Sequence, residues 1–137
     1  MRTLVVVPTY NEADTIRLTV AGIRQHVPQV DILIADDASP DGTGVLADEM
    51  AAVDSQVQVL HRAGKQGLGA AYLAGFEWAR AAGYQAVVEM DADGSHRAED
   101  LPKLLRALDH ADVVLGSRWI SGGEVVNWTL PRRLLAL

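Results

Sequence analysis

Apolar residues gather in five short runs, Leu4 to Val7, Ile32 to Ala35, Val57 to Leu60, Ala86 to Met90 and Val113 to Gly116. Between them, apolar positions recur every three or four residues instead. A strand with one wet face alternates apolar and polar positions, whereas a largely continuous run is buried on both faces, so these runs predict strands of a mainly parallel sheet. The periodic stretches predict helices on both faces of it. Ile16, Val20, Ile23 and Val27 form one stripe, with Asp14 as its expected N-cap, and Leu46, Met50 and Val53 form a second after Asp41-Gly42-Thr43. Leu68, Tyr72, Phe76 and Ala79 form a third, closed by Gly83, and Leu101, Leu104, Leu105 and Leu108 a fourth, with Pro102 in its first turn. Strands alternating with helices make the fold class α/β. No repeat, low-complexity tract or linker interrupts the pattern, so residues 1–137 are expected to form a single domain.

Composition narrows the partners. The chain has 137 residues, 49% hydrophobic and 22% charged, enough for one core. A formal net charge of -6 speaks against a nucleic-acid partner, because neutralising phosphates takes clustered Lys and Arg. A small molecule is the expected ligand. There are no cysteines, so disulfides and thiolate metal sites are excluded. The first apolar run is too short for a secretory h-region, and no stretch approaches the roughly 20 apolar residues that span a bilayer.

Chemistry concentrates where the runs end. Pro8-Thr9-Tyr10-Asn11-Glu12, Asp36-Asp37, His61-Arg62, Asp91-Ala92-Asp93 and Ser117-Arg118 each follow a run. Open α/β sheets bind ligands at the carboxyl ends of their strands, so these clusters are expected to meet along one edge. Asp91 and Asp93, spaced i, i+2 before the bend that Gly94 permits, can aim both carboxylates at one hard cation, Mg2+ or Mn2+.

The order of these motifs carries a resemblance. The set comprises Pro8-Thr9-Tyr10-Asn11-Glu12, Asp36 to Thr43, Lys65-Gln66-Gly67-Leu68-Gly69, Met90-Asp91-Ala92-Asp93 with Ser95-His96, and Gly116-Ser117-Arg118 with Gly122-Gly123. It resembles the family-2 glycosyltransferases and, within them, the polyprenol-phosphate (dolichol-phosphate) mannosyltransferases. The resemblance covers nearly the whole chain. It implies a Rossmann-like nucleotide-sugar-binding domain of the glycosyltransferase A type, and inverting transfer of mannose from GDP-mannose to a polyprenyl phosphate. It further implies a cytoplasmic location, peripheral at the cytoplasmic face of the membrane, with a partner membrane subunit as an option. Family members continue past the point that matches Leu137, so the chain is expected to be a C-terminally incomplete catalytic domain.

Residue roles follow from the same resemblance. Pro8, Tyr10 and Glu12 are expected to wall the nucleotide pocket, and Ala35 and Asp37 to contact the base, with Asp37 accepting from ring N–H groups. Asp91, Ala92, Asp93 and Ser95 line the diphosphate and its cation, the metal ligands being Asp91, Asp93 and Ser95. Two unit charges about 4 Å apart interact by roughly 4 kcal/mol at an effective dielectric of 20, so bare carboxylates would repel a diphosphate that a divalent ion instead bridges. Asp93 and Arg118 are the expected catalytic residues, Arg118 through a planar fork that matches phosphate oxygens. Lys65 adds positive charge, while Trp128 and Arg132 match a family Trp with an Arg four residues on, near the acceptor. Asp36 is expected to be structural and His96 to order its loop. Two alternatives stay open: a relative using UDP-glucose or another nucleotide sugar, and a nucleotide-binding module without turnover.

Overall fold

A computed structural model of the protein describes residues 1–117. Arg118, Trp128 and Arg132 lie outside the described residues. The chain divides into two compact units, Met1–Pro102 and a second that begins at Lys103; the sheet belongs to the first.

Four strands, β1 (Thr3–Thr9), β2 (Asp31–Asp36), β3 (Val57–His61) and β4 (Ala86–Glu89), form a parallel sheet in the order β3-β2-β1-β4. This is the Rossmann-like α/β arrangement. β1 is buried at every position, which requires cover on both faces. Leu4 and Val6 join Leu33, Tyr72 and Ala79 in one core cluster, and the alternate residues Val5 and Val7 are fully buried on the opposite face. Three helices follow the first three strands: α1 (Ile16–His26), α2 (Thr43–Val53) and α3 (Leu68–Ala81). Beyond β4 come a short 3-10 turn (Ala98–Asp100) and α4 (Leu101–Leu108), with Pro102 in its first turn as expected.

Gly83 stops α3 by taking φ +80°, the left-handed region. Its N–H then reaches the carbonyl of Arg80 at 3.2 Å and that of Tyr84 reaches Ala79 at 3.0 Å, the paired bonds of a Schellman cap. The N-terminal cap of α1 differs from expectation. Thr15, not Asp14, holds that position without a side-chain cap bond, and its hydroxyl donates to the carbonyl of Ala92. The stripe of α2 also shifts. Thr43, Ala47 and Met50 are its buried residues, while Val53, at the last turn, is 88% exposed.

The fifth apolar run is not a strand. Val113 and Leu115 are 74% and 85% exposed, and Val113 to Gly116 has no ladder partner among the described residues. Four apolar residues make a strand only when an edge is there to pair with them, and apolarity alone does not supply the edge.

The chain runs outward from β1 through β2 to β3 and then returns to place β4 on the other side of β1. Between β1 and β4 the strand order reverses, and the carboxyl ends at such a switch point form the crevice where α/β sheets take ligands.

Candidate active site

Three loops leave this edge, and hydrogen bonds fasten them together. Asp36, 2% exposed, accepts from the Thr9 hydroxyl at 2.7 Å, the Ser39 hydroxyl at 2.6 Å and the Ser39 N–H at 3.1 Å. Ser39 in turn accepts from the N–H of Asn11 at 3.0 Å, and Asp41 from that of Ala13 at 3.0 Å. Thr43, fully buried at the start of α2, accepts from the N–H of Glu12 at 3.0 Å. The run from Asp36 to Thr43 therefore shapes the loop after β1, as expected of Asp36. Asn11 at φ 55° lets that loop turn so that Tyr10 and Glu12 face the crevice. The loop after β4 is tied in through Ala92, whose carbonyl accepts from the hydroxyls of Thr15 at 2.7 Å and Thr19 at 3.2 Å.

A cleft of about 210 Å³ opens beside these loops. Pro8, Tyr10, Glu12, Asp37 and Lys65 line it, together with Thr9, Gly67, Leu68 and Ala71. The ammonium of Lys65 sits 4.5 Å from the centre of the Tyr10 ring, a cation–π contact across the mouth. Asp37 is held from beneath by Arg62, Nη1 to Oδ1 at 2.7 Å, and Arg62 is steadied in turn by Gln66 at 3.1 Å. That clamp gives a nearly buried carboxylate at the cleft wall a cationic partner.

The acidic groups of the three loops feel one another. The Glu12 carboxyl is raised above its ordinary pKa, first by burial and then by repulsion from Asp93, Asp41 and Asp91, offset in part by the Thr15 hydroxyl. Residues separated by some 80 positions in sequence thus share one negative field beside the cleft. Asp93, exposed in its turn, is pulled the other way, first by the hydroxyl of Ser95, which donates to Oδ1, and also by the Ser95 N–H at 2.9 Å. Asp91 accepts from the phenol of Tyr72 at 2.6 Å, while its N–H donates to Nδ1 of His96 at 2.9 Å, so His96 orders the loop as expected. Burial first and the bond to Asp91 second raise the Tyr72 hydroxyl far above its ordinary range, so it remains a donor. Among the described residues, no group of three or more His, Asp or Glu side chains is set to hold an ion by itself.

The chain matches the Glycosyl transferase family 2 domain over residues 4–136. It belongs to that family. It is 54% identical over 136 residues to the undecaprenyl-phosphate mannosyltransferase of Micrococcus luteus, covering 99% of this chain and 56% of that protein. It is 55% identical over 137 residues to the polyprenol monophosphomannose synthase of Mycolicibacterium smegmatis, covering 98% of this chain and 52% of that one. The chain therefore spans about half the length of these curated relatives. In structure it resembles the mannosyltransferase PcManGT of Pyrobaculum calidifontis, solved in complex with GDP-Man and Mn2+, with TM-score 0.66 and 27% identity over 78% of this chain and 32% of that one. The α/β sheet is accordingly of the glycosyltransferase A type.

In this family-2 domain, the expected pocket residues Pro8, Tyr10, Glu12, Asp37 and Lys65 meet at one cleft, with Asp91 and Asp93 near enough to act on Glu12. Ala35 is fully buried in β2. Ala92 is 2% exposed, and its carbonyl is spent on Thr15 and Thr19. Arg62 and Tyr72 are the additions. Tyr72 reads from sequence as one more apolar position of the α3 stripe, and only the polar end of a Tyr signals that a buried ring has a partner to reach. Arg62 stands in the cluster after β3, but nothing in the sequence pairs it with Asp37.

Proposed function

We propose that this chain binds GDP-mannose and takes part in transferring its mannose, with inversion, to a polyprenyl phosphate. The observation that carries the reading is the shared acidic field of Glu12, Asp91 and Asp93 beside a cleft walled by Tyr10, Asp37 and Lys65. The named activities of the relatives and the GDP-Man and Mn2+ of PcManGT support it. Tyr10 offers a face for base or ribose, and Asp37, with one oxygen on Arg62, has a second to accept from base N–H groups.

A divalent ion fits the residues present. Mg2+ and Mn2+ at nucleotide sites take one or two carboxylates, with phosphates and water filling the rest. Asp91 and Asp93 each commit Oδ1 to a protein donor, which leaves Oδ2 of each for an ion, with Ser95 fixing Asp93. When bound, such an ion neutralises the diphosphate and stabilises it as leaving group. The ion is Mg2+ or Mn2+, and Mn2+ is the one named with GDP-Man in the PcManGT structure.

The acceptor needs no general base, because a polyprenyl phosphate is already anionic near neutral pH. Its oxygen forms a bond to the anomeric carbon as the bond from that carbon to the GDP oxygen breaks, and GDP leaves with the electron pair. By resemblance Arg118 is assigned to a phosphate contact and Arg132 to the acceptor side, and the protein to a peripheral position at the cytoplasmic face of the membrane. Among the described residues no helix is long and apolar enough to cross a membrane. The test is transfer of labelled mannose from GDP-mannose to a polyprenyl phosphate, with UDP-glucose as the competing donor. Labelled lipid from GDP-mannose supports the reading, and label only from the uridine donor overturns it.

A further inference from the structure

The phenol of Tyr72 lies 2.6 Å from Oδ1 of Asp91, and we infer that Tyr72 is a positioning residue that makes Asp91 a one-oxygen ligand for the divalent cation. The inference rests on the metal reading proposed above.

The ring of Tyr72 is packed in the core cluster with Leu4, Val6 and Ala79 and stacks on Phe76 with centroids 6.3 Å apart. Its hydroxyl is the polar end of that buried ring, and it reaches the loop after β4. Gly75, three residues on, sets how far it reaches. A Cβ on Gly75 would stand 2.5 Å from Cγ1 of Val6, so α3 lies against β1 at a separation that excludes any side chain there. A phenol has one proton to donate, and Tyr72 donates it to Asp91.

The other oxygen of Asp91 is left open. Oδ2 is 3.8 Å from Nε2 of His96, beyond hydrogen-bond reach, and the Asp91 side chain keeps 26% of its surface exposed. With Oδ1 engaged, Asp91 offers an ion a single oxygen of fixed direction. That arrangement suits the six-coordinate shell that Mg2+ demands and Mn2+ commonly adopts better than Ca2+, which takes more oxygens and readily binds a carboxylate by both. Partners that orient a ligand in this way typically contribute ten- to a hundredfold to metal affinity.

The experiment compares the full chain with Tyr72→Phe and, as a packing control, Phe76→Leu. Mn2+ binding in the presence of GDP is read from the paramagnetic resonance of free Mn2+, Ca2+ binding by competition, and folding from Tm. Tyr72→Phe is expected to lose about ten- to a hundredfold in Mn2+ affinity and less in Ca2+ affinity, narrowing the ratio between them. Phe76→Leu is expected to lower Tm while leaving that ratio unchanged. Mn2+ affinity of Tyr72→Phe within twofold of wild type overturns the inference and leaves the metal reading standing. Equal weakening of Mn2+ and Ca2+ overturns it as well, since that is what loosened packing does. A wild-type chain that takes up no Mn2+ with GDP overturns both.

Discussion

Glu12 shows at a single residue how the site is set against the stability of the empty protein. It is half-buried and repelled by Asp93, Asp41 and Asp91, so its carboxyl is raised above the ordinary value of 4.5. A carboxylate with a raised folded-state pKa costs stability when ionised, a cost fully present above the folded value and absent below the unfolded one. Glu12→Gln keeps a polar side chain of the same shape beside Thr15 and removes the charge. Its Tm at neutral pH is therefore expected to equal or exceed that of wild type, with the difference vanishing as pH falls through the Glu12 titration. Thermal melts across pH 4 to 7 check this, alongside weaker nucleotide binding by the variant. A Tm below wild type at neutral pH would mean that Glu12 is stabilised by its surroundings. At this scale, sequence reading found Glu12, Asp37 and the two aspartates because polar residues after apolar runs stand out. It placed Arg62 at the polar edge and Tyr72 in an apolar stripe but missed their partners, which lie 25 and 19 residues away and are set by tertiary packing.

At the scale of elements, the contact between α3 and β1 is the most demanding. Adding a methyl at Gly75 drives it into Val6, and overpacking of that kind costs about 1–3 kcal/mol. Gly75→Ala is expected to lower Tm and, by displacing Tyr72 from Asp91, to weaken Mn2+ binding as well. Val6→Ala in the same chain should return part of both losses, a coupling that a double-mutant cycle measures. Independent effects would show that the helix does not carry the phenol to the site. The four strands were legible as apolar runs, since burial on both faces leaves that mark. Val113 to Gly116 carries the same mark without being a strand, because pairing depends on an edge that composition cannot reveal. Helix stripes were legible in their middles and less so at their ends, as Val53 and Leu68 show by their exposure.

For the whole molecule, the order β3-β2-β1-β4 sets the site, since it brings the loops after β1 and β4 together at the switch point. Five runs of similar apolarity do not say which strand lies beside which, so the sequence pointed to an α/β sheet with one polar edge but not to its order. The resemblance to family 2 named the fold type without that order, and the family match over residues 4–136 bears out the family. A net charge of -6 sharpens the electrostatic demand: a diphosphate must enter a site that already holds Glu12, Asp91 and Asp93. Binding of the donor is thus expected to depend on a divalent cation, and donor with Mn2+ at about 100 times Kd should stabilise the fold by about 2.7 kcal/mol.

Calorimetric titration with GDP-mannose, first with Mn2+ and then with excess EDTA, tests that demand most directly, with Asp93→Asn run in parallel. Asp93 sits in an exposed turn, so the variant should keep its fold. Binding that requires Mn2+ and drops at least tenfold in Asp93→Asn is the predicted result. Equal affinity in EDTA, or an Asp93→Asn chain that binds as wild type does, would contradict it.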